Sequence, residues 1–355
     1  MTQSSVNGFD YQGYLIFNGI FRVDMSSASV EWSKMYDAER ILFEELGEFS
    51  RTYRGSNRGL ERLTLRDYIR DDESINSETL QSVADDLIGY RVLYEEEEEI
   101  EAYPPESDEL TKVKHPIVND ADLYWIHPEY MFFRGSESDS SEAIDYVTQI
   151  LRESPNPEQT DGGSSGSTPR INEICFEKDF LLWIFKKQFY GNKPSNKIDL
   201  KINSLTDAEI SGDDDIWGGS SSIEDTPHLR EAPPILQAIL KNKQFDAIEG
   251  VFNIDDHLMV ADVQTNKVHI KVAKEINRSN NIRRVAMSNL LLSRLAELKS
   301  HWDGLTKTKK YPEYKFFDDL YTVLDHQGAS IDKISEELRK RMAELRDEPH
   351  SAWNL

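Results

Sequence analysis

The chain has 355 residues, of which 38% are hydrophobic and 10% aromatic, so it can form two or three packed domains and is too apolar to be disordered. Its 65 acidic residues outnumber 41 lysines and arginines, and the resulting net charge of −24 favours solubility and repels nucleic acid and anionic membranes at ordinary ionic strength. The single cysteine, Cys175, excludes an internal disulfide and a cysteine-rich zinc site, and no apolar run is long enough for a transmembrane helix.

The first 153 residues predict an acidic module of mixed α and β structure. Residues 14–17 indicate a strand, and apolar positions recur at helical spacing over residues 35–49. Residues 87–94 predict a second strand, which we expect to end at the five glutamates 95–99 because like charges repel one another. A loop is then expected from Pro104 to Lys114.

Residues 154–170 predict a linker or long loop, because proline, glycine and serine dominate them. The remaining residues, 171–355, form the predicted C-terminal module. Its strongest pattern is a short helix after Pro233–Pro234, three short strands, a long helix capped by Ser279, and a last helix from about Ser330. The strands are predicted at residues 245–254, 258–263 and 268–272. The sequence therefore predicts an α+β protein whose C-terminal module holds a short antiparallel β-meander flanked by helices.

Charge is distributed unevenly along the chain. Between Gln264 and Lys315 twelve basic residues meet four acidic ones, a net charge of +8 in a chain of −24. Such asymmetry points to an acidic partner, most often nucleic acid, and the interleaved aromatics Tyr311 to Phe317 could stack on unpaired bases. The candidate phosphate-contacting residues are Lys267, Lys271, Lys274, Arg278, Arg283, Arg284, Lys307, Lys309, Lys310 and Lys315. Alternatively, this segment faces the chain's own acidic half.

The leading hypothesis is therefore a non-enzymatic cytoplasmic protein that contacts nucleic acid, or a protein bound to nucleic acid, through residues 267–315. A cytoplasmic location is expected because the first residues lack a basic stretch followed by an apolar one, and no membrane partner is predicted. The spread of acidic residues is also typical of a high-salt cytoplasm. At about 1 M salt the Debye length falls to about 3 Å, so a basic patch would lose much of its reach there.

A second hypothesis comes from the order of elements between Pro234 and Trp302, helix–strand–strand–strand–helix, which resembles the core of the PD-(D/E)xK nuclease superfamily. The resemblance covers about 70 residues and implies Mg²⁺ held by two carboxylates, with a lysine near the attacked phosphate. Asp262 and Lys271 stand on the second and third predicted strands, but His269 occupies the place of the second acid. Alternatively, Asp262 and Gln264 stand for the acid-x-lysine element, with Asp246 as the first acid. The plain alternative is a β-meander packed under one helix.

Other patterns predict no cofactor. Asp213, Asp215, Gly218 and Glu224 match a calcium loop, but Trp217 offers no oxygen at the fifth position, so a solvated acidic loop is favoured. The G-x-S-x-G match at residues 162–166 lies in the predicted linker, where no strand precedes the serine.

A third hypothesis is a protein scaffold that forms a homo-oligomer. The apolar residues of the last helix, between Ile331 and Leu345, form one narrow stripe, although it covers only about two heptads.

Overall fold

The computed structural model describes residues 14–26, 28, 30–49, 57–71, 77–102, 110–153, 168–212, 220–224, 226, 228–255, 257–272, 281–329 and 334–353. The chain divides into two compact units. The N-terminal unit consists mainly of Ile16–Glu173 and also takes in Asn281–Asn289. The C-terminal unit comprises Gln12–Leu15, Ile174–Asn280 and Leu290–Leu355. Each contains helices and antiparallel strands, which confirms the predicted α+β class.

The N-terminal unit is an antiparallel sheet covered by helices. Its strands follow the order β2–β3–β4–β5–β1, and β6 pairs with the end of β1. Apolar side chains of α1 and α4, such as Leu42 and Val147, pack on the sheet residues Tyr90, Trp125 and Phe133. In chain order the elements are β1 (Leu15–Asp24), α1 (Met35–Leu46), β2 (Arg58–Arg62), α2 (Leu65–Asp71), α3 (Glu78–Asp86), β3 (Leu87–Ala102), β4 (Thr111–Ile126), β5 (Tyr130–Arg134), α4 (Glu137–Glu153) and β6 (Arg170–Glu173).

The glutamate run does not end β3 as predicted. The strand continues to Ala102 and pairs with β4 along its whole length. Successive glutamates alternate between the two faces of a strand, and Lys114 Nζ lies 2.5 Å from Glu97 Oε2 while Lys112 Nζ lies 3.3 Å from Glu99 Oε2. These cross-strand pairs offset the repulsion on which the predicted end was based.

The C-terminal unit contains the predicted β-meander and its flanking helices. Its strands follow the order β11–β10–β9–β7–β8, and every pairing is antiparallel. Two of these strands, β7 and β8, were not predicted from the sequence. The elements are α5 (Lys178–Phe189), β7 (Lys201–Ser211), β8 (Ser220–Ile223), α6 (Pro233–Leu240), β9 (Gln244–Ile254), β10 (His257–Gln264), β11 (Val268–Val272), α7 (Asn281–Asp303), α8 (Lys307–Lys310), α9 (Tyr314–His326) and α10 (Glu336–Arg346).

The stripe of the last helix lies in the interior of the C-terminal unit. Ile334, Leu338 and Met342 are 6%, 1% and 0% exposed, and Ser335 caps the helix by accepting a hydrogen bond from the Leu338 N–H. The helix α10 thus begins after Ser335 rather than at Ser330, and Ile331 lies outside the described residues. Ile334, Leu338 and Met342 thus pack within their own chain, whereas Leu345, also in the stripe, is half-buried.

The two compact units divide the chain between Glu173 and Ile174. Residues 154–167 of the predicted linker lie outside the described residues, whereas β6 belongs to the N-terminal unit. The N-terminal unit therefore extends to Glu173, and it also receives the first residues of α7. Within the part of the chain described, no helix has the length and apolar composition required to cross a lipid bilayer.

Candidate functional site

Four polar residues form a row across the sheet of the C-terminal unit. Asp207 on β7 is paired with Glu249 on β9, Glu249 with Asp262 on β10, and Asp262 with His269 on β11. Paired residues on neighbouring strands point to the same face, about 5 Å apart. The residues next to these four on each strand point to the other face of the sheet. Those that build this apolar face include the buried Ile248, Ala261, Val263 and Ile270. We call Asp207, Glu249, Asp262 and His269 the polar row.

Neighbouring side chains hold the polar row in place. The Tyr14 hydroxyl donates to Glu249 Oε2 at 3.2 Å, and Gln264 Nε2 donates to Asp262 Oδ2 at 2.6 Å. His269 Nδ1 lies 3.5 Å from the same Asp262 oxygen. Lys271 Nζ lies 5.4 Å from the centre of the Tyr14 ring. Every carboxylate of the row thus has a close polar or charged neighbour.

The polar row retains a proton near neutral pH. Burial, together with the nearby carboxylate of Asp207, raises the pKa of Glu249 to about 7. Burial and the charge of Glu249 raise the pKa of Tyr14 to about 12, which keeps its hydroxyl a donor. Burial lowers the pKa of His269 although Asp262 opposes this shift. A cleft of about 200 Å³ opens beside the row and is lined by further acids, including Glu209 and Glu224.

The structure brings together some of the residues suggested by the nuclease resemblance. Asp262, Gln264 and Lys271 lie on the face of the polar row, but Asp246 does not join them. Asp246 sits where the pairing of β9 with β7 shifts register, and its carboxylate lies 2.5 Å from Lys178 Nζ on α5. The acid that lies opposite Asp262 is Glu249, because β9 and β10 pair without interruption from Ala247 to Ile254.

The polar row does not fit a metal ion. Among the described residues, no three acidic, histidine or cysteine side chains are placed to hold one. We therefore derive no cleavage step through the Mg²⁺ that the nuclease resemblance implies. Of the calcium-loop residues, Asp213 and Asp215 lie outside the described part of the chain, and Glu224 is exposed just after β8.

The basic residues of α7 are largely internal to the protein. Residues 284–293 are all buried, so this part of the helix is enclosed on every side, including its polar residues Arg284, Ser288, Asn289 and Ser293. Arg284 is 3% exposed, and burial lowers its pKa. Further along the helix, Arg294 Nη1 lies 2.6 Å from Glu297, and the buried Lys299 lies 3.1 Å from Glu177 and 2.7 Å from Asp303. Phe316 and Phe317 are fully buried, which removes them as surfaces for base stacking.

Lysines after α7 are much more accessible. Helix α8 has no buried residue, and both Lys309 and Lys315 are exposed. Lys307 Nζ lies 2.8 Å from Asp347. Lys310 Nζ lies 4.6 Å from the Trp302 ring centre. Lys274 and Arg278 lie outside the described residues, and Arg283 is half-buried.

A series of contacts links α8 to the turn between β10 and β11. Thr265 in that turn accepts a hydrogen bond from the Phe176 N–H at 2.7 Å. The next residue along, Glu177, pairs with Lys299, whose ammonium lies 5.1 Å from the same Trp302 ring that Lys310 contacts. Lys267 lies at the end of that turn. We call Lys267, Lys309, Lys310 and Lys315 the lysine surface.

Comparisons with known proteins do not add a relationship. No protein-family model matches the chain, and no curated protein matches it significantly in sequence. The side chains themselves therefore carry any inference about function.

Proposed function

We propose that the chain contacts nucleic acid, or a protein complex assembled on nucleic acid, through the lysine surface. The observation that carries the proposal is α8, which places three lysines within four residues and buries none of them. Lysine ammonium groups bind phosphates and release the counterions condensed on the nucleic acid, whatever its sequence.

The remainder of the chain makes this surface the favourable point of approach. A polyanion is repelled by a protein of net charge −24 except where cations are locally in excess. Lys310 rests against Trp302, which fixes the direction from which α8 presents its lysines. Since Phe316 and Phe317 are in the core, phosphate contact rather than base stacking is the expected mode, with little sequence preference.

Replacing Lys309 and Lys310 with glutamine is expected to weaken binding and to flatten its salt dependence. Each lost phosphate contact lowers the slope of log affinity against log salt by about 1, so the double variant should lose about 2. The measurement is fluorescence anisotropy with single- and double-stranded DNA and RNA over a salt series, without and with Mg²⁺.

The matched control replaces Lys193 and Lys197 with glutamine, because both are exposed in the same unit and the charge change is identical. Its slope should equal that of the unmodified chain. An equal loss in the control, or no binding at low salt, would contradict the proposal. Cleavage in Mg²⁺ that Asp262→Ala abolishes would favour the nuclease hypothesis instead.

A further inference from the structure

The hairpin of β3 and β4 extends beyond the rest of its sheet as a two-stranded arm. The neighbouring strand β2 pairs only with residues 90–94 of β3, and β5 only with residues 122–126 of β4. Residues 95–102 and 111–118 pair with each other and have no third strand among the described residues. We call these two segments the arm; at about 3.3 Å per residue, it is about 26 Å long.

The two faces of the arm have the same net charge but differ in their ion pairs. On one face, Glu97 and Glu99 pair with Lys114 and Lys112, and Glu95 and Glu101 are the other acids of that face. The opposite face carries Glu96 and Glu98, and no ion pair joins either of them to a cation in the described part of the chain. The arm as a whole has six glutamates and two lysines, a net charge of −4.

The face of Glu96 and Glu98 also carries an apolar pair. Ile100 lies directly opposite Val113 in the hairpin, and the two residues are 37% and 38% exposed. A solvated two-stranded ribbon is only marginally stable in water, and charges on both faces would suit it better than apolar side chains. Glu96 accepts a hydrogen bond from Asn119 Nδ2 at 2.9 Å but keeps its charge. Two exposed apolar residues beside two glutamates that no described cation neutralises are instead the pattern of a contact surface, apolar at its centre and charged around it.

Within the described ranges, no strand pairs with the edge of β3 beyond Glu95. The last backbone contact described on that edge is the Glu95 N–H donating to the Asn57 carbonyl at 2.9 Å. Beyond it, alternate backbone N–H and C=O groups of residues 96–102 point away from β4, as they do along any unpaired edge strand. An extended segment can add there through main-chain hydrogen bonds while its side chains meet those of the arm.

We propose that the arm docks an extended, lysine- or arginine-rich segment of a partner protein. Its cations would pair with Glu96 and Glu98, and an apolar side chain would cover Ile100 and Val113. The negative charge of the arm selects a cationic occupant and repels nucleic acid. The proposal does not depend on the lysine surface, which lies in the other unit, so either can fail alone.

The test uses the full chain and a fluorescein-labelled octapeptide, Thr-Lys-Thr-Lys-Thr-Ile-Thr-Lys, whose lysines and isoleucine share one strand face. Fluorescence anisotropy should show binding that weakens about tenfold or more, equivalent to about 1.4 kcal/mol, in Glu96→Lys/Glu98→Lys. Ile100→Ser/Val113→Ser, which keeps the charge, should weaken it too. Hydrogen exchange should show new protection of the amides of Glu97, Glu99 and Glu101, which point away from β4 as that of Glu95 does, when the peptide is bound.

Two controls separate specific docking from general attraction. Asp318→Lys/Asp325→Lys makes the same charge change at two exposed positions of α9 and should bind the peptide as the unmodified chain does. A peptide with glutamine in place of lysine should not bind. An equal loss in the α9 variant, or full binding by Ile100→Ser/Val113→Ser, would overturn the proposal. So would a concentration-dependent dimer that Ile100→Ser/Val113→Ser abolishes, since it would assign the arm to a second copy of the chain.

Discussion

Replacing Asp122 with alanine is expected to lower the free energy of unfolding of the N-terminal unit by about 3–5 kcal/mol. Asp122 is fully buried and lies between two guanidinium groups: its Oδ1 accepts from Arg91 Nε at 2.9 Å, and its Oδ2 accepts from Arg134 Nη2 at 2.6 Å. The Tyr124 hydroxyl also donates to Oδ2, at 2.9 Å. Without this carboxylate, two mostly buried cations lose a shared counterion. Thermal unfolding followed by circular dichroism should show a midpoint lower by about 10 °C.

Asp120 provides the matched control for this substitution. It lies on the same strand, 3.3 Å from the same Arg91 Nε, but its side chain is 47% exposed. Asp120→Ala should therefore cost less than about 1 kcal/mol, as is usual for surface ion pairs. Adding Arg91→Met and Arg134→Met to Asp122→Ala should recover part of the lost stability, because it removes the unpaired cations. If the triple variant were no more stable than Asp122→Ala, the loss would come from packing and not from charge.

Local patterns in the sequence predicted much of the C-terminal unit. Alternating apolar residues between turn-forming clusters identified β9, β10 and β11, and Pro233–Pro234 marked the start of α6. The same reasoning placed the end of β3 too early. The residues of β3 alone show only the repulsion among its glutamates, whereas the lysines that pair with Glu97 and Glu99 lie on β4. The reasoning also failed for β7, whose mixed composition acquires its strand pattern only beside β9.

The candidate sites show a similar division. The sequence identified Asp262, Gln264 and Lys271 as neighbours, since alternation along a strand and the position of one turn are local features. It could not identify Asp207 as a member of the polar row, because the register shifts between β7 and β9 decide which residue meets Glu249. Glu249 itself was overlooked, although it follows from the regular pairing of β9 with β10. Nor could the sequence show that Arg284 and Lys299 are buried. A sum of charges along the sequence gives these two residues the same weight as the exposed Lys309 and Lys315.

Replacing Glu249 with glutamine is expected to stabilise the protein at pH 8 and to change its stability much less at pH 5. The folded state raises the pKa of this carboxyl from 4.5 to about 7, so the folded chain binds the proton more tightly than the unfolded chain does. Stability must then fall as the pH rises from about 4.5 to about 7. Glutamine avoids that loss: its carbonyl can accept from Tyr14 and its amide can donate to Asp207, as the protonated carboxyl does.

The gain should be about 1–2 kcal/mol at pH 8, since 2.5 pKa units correspond to at most about 3.4 kcal/mol and solvent screens this half-buried site. Urea unfolding at pH 5 and pH 8 measures it. Glu98→Gln on the exposed arm removes one charge from the same highly negative chain, and its effect should be smaller and should change little between the two pH values. If Glu249→Gln changed the stability equally at pH 5 and pH 8, the Glu249 side chain would be ionised at both pH values. The Tyr14 hydroxyl and solvent alone would then stabilise three neighbouring carboxylates, those of Asp207, Glu249 and Asp262. That result would remove the proton from the polar row and leave it a purely anionic surface.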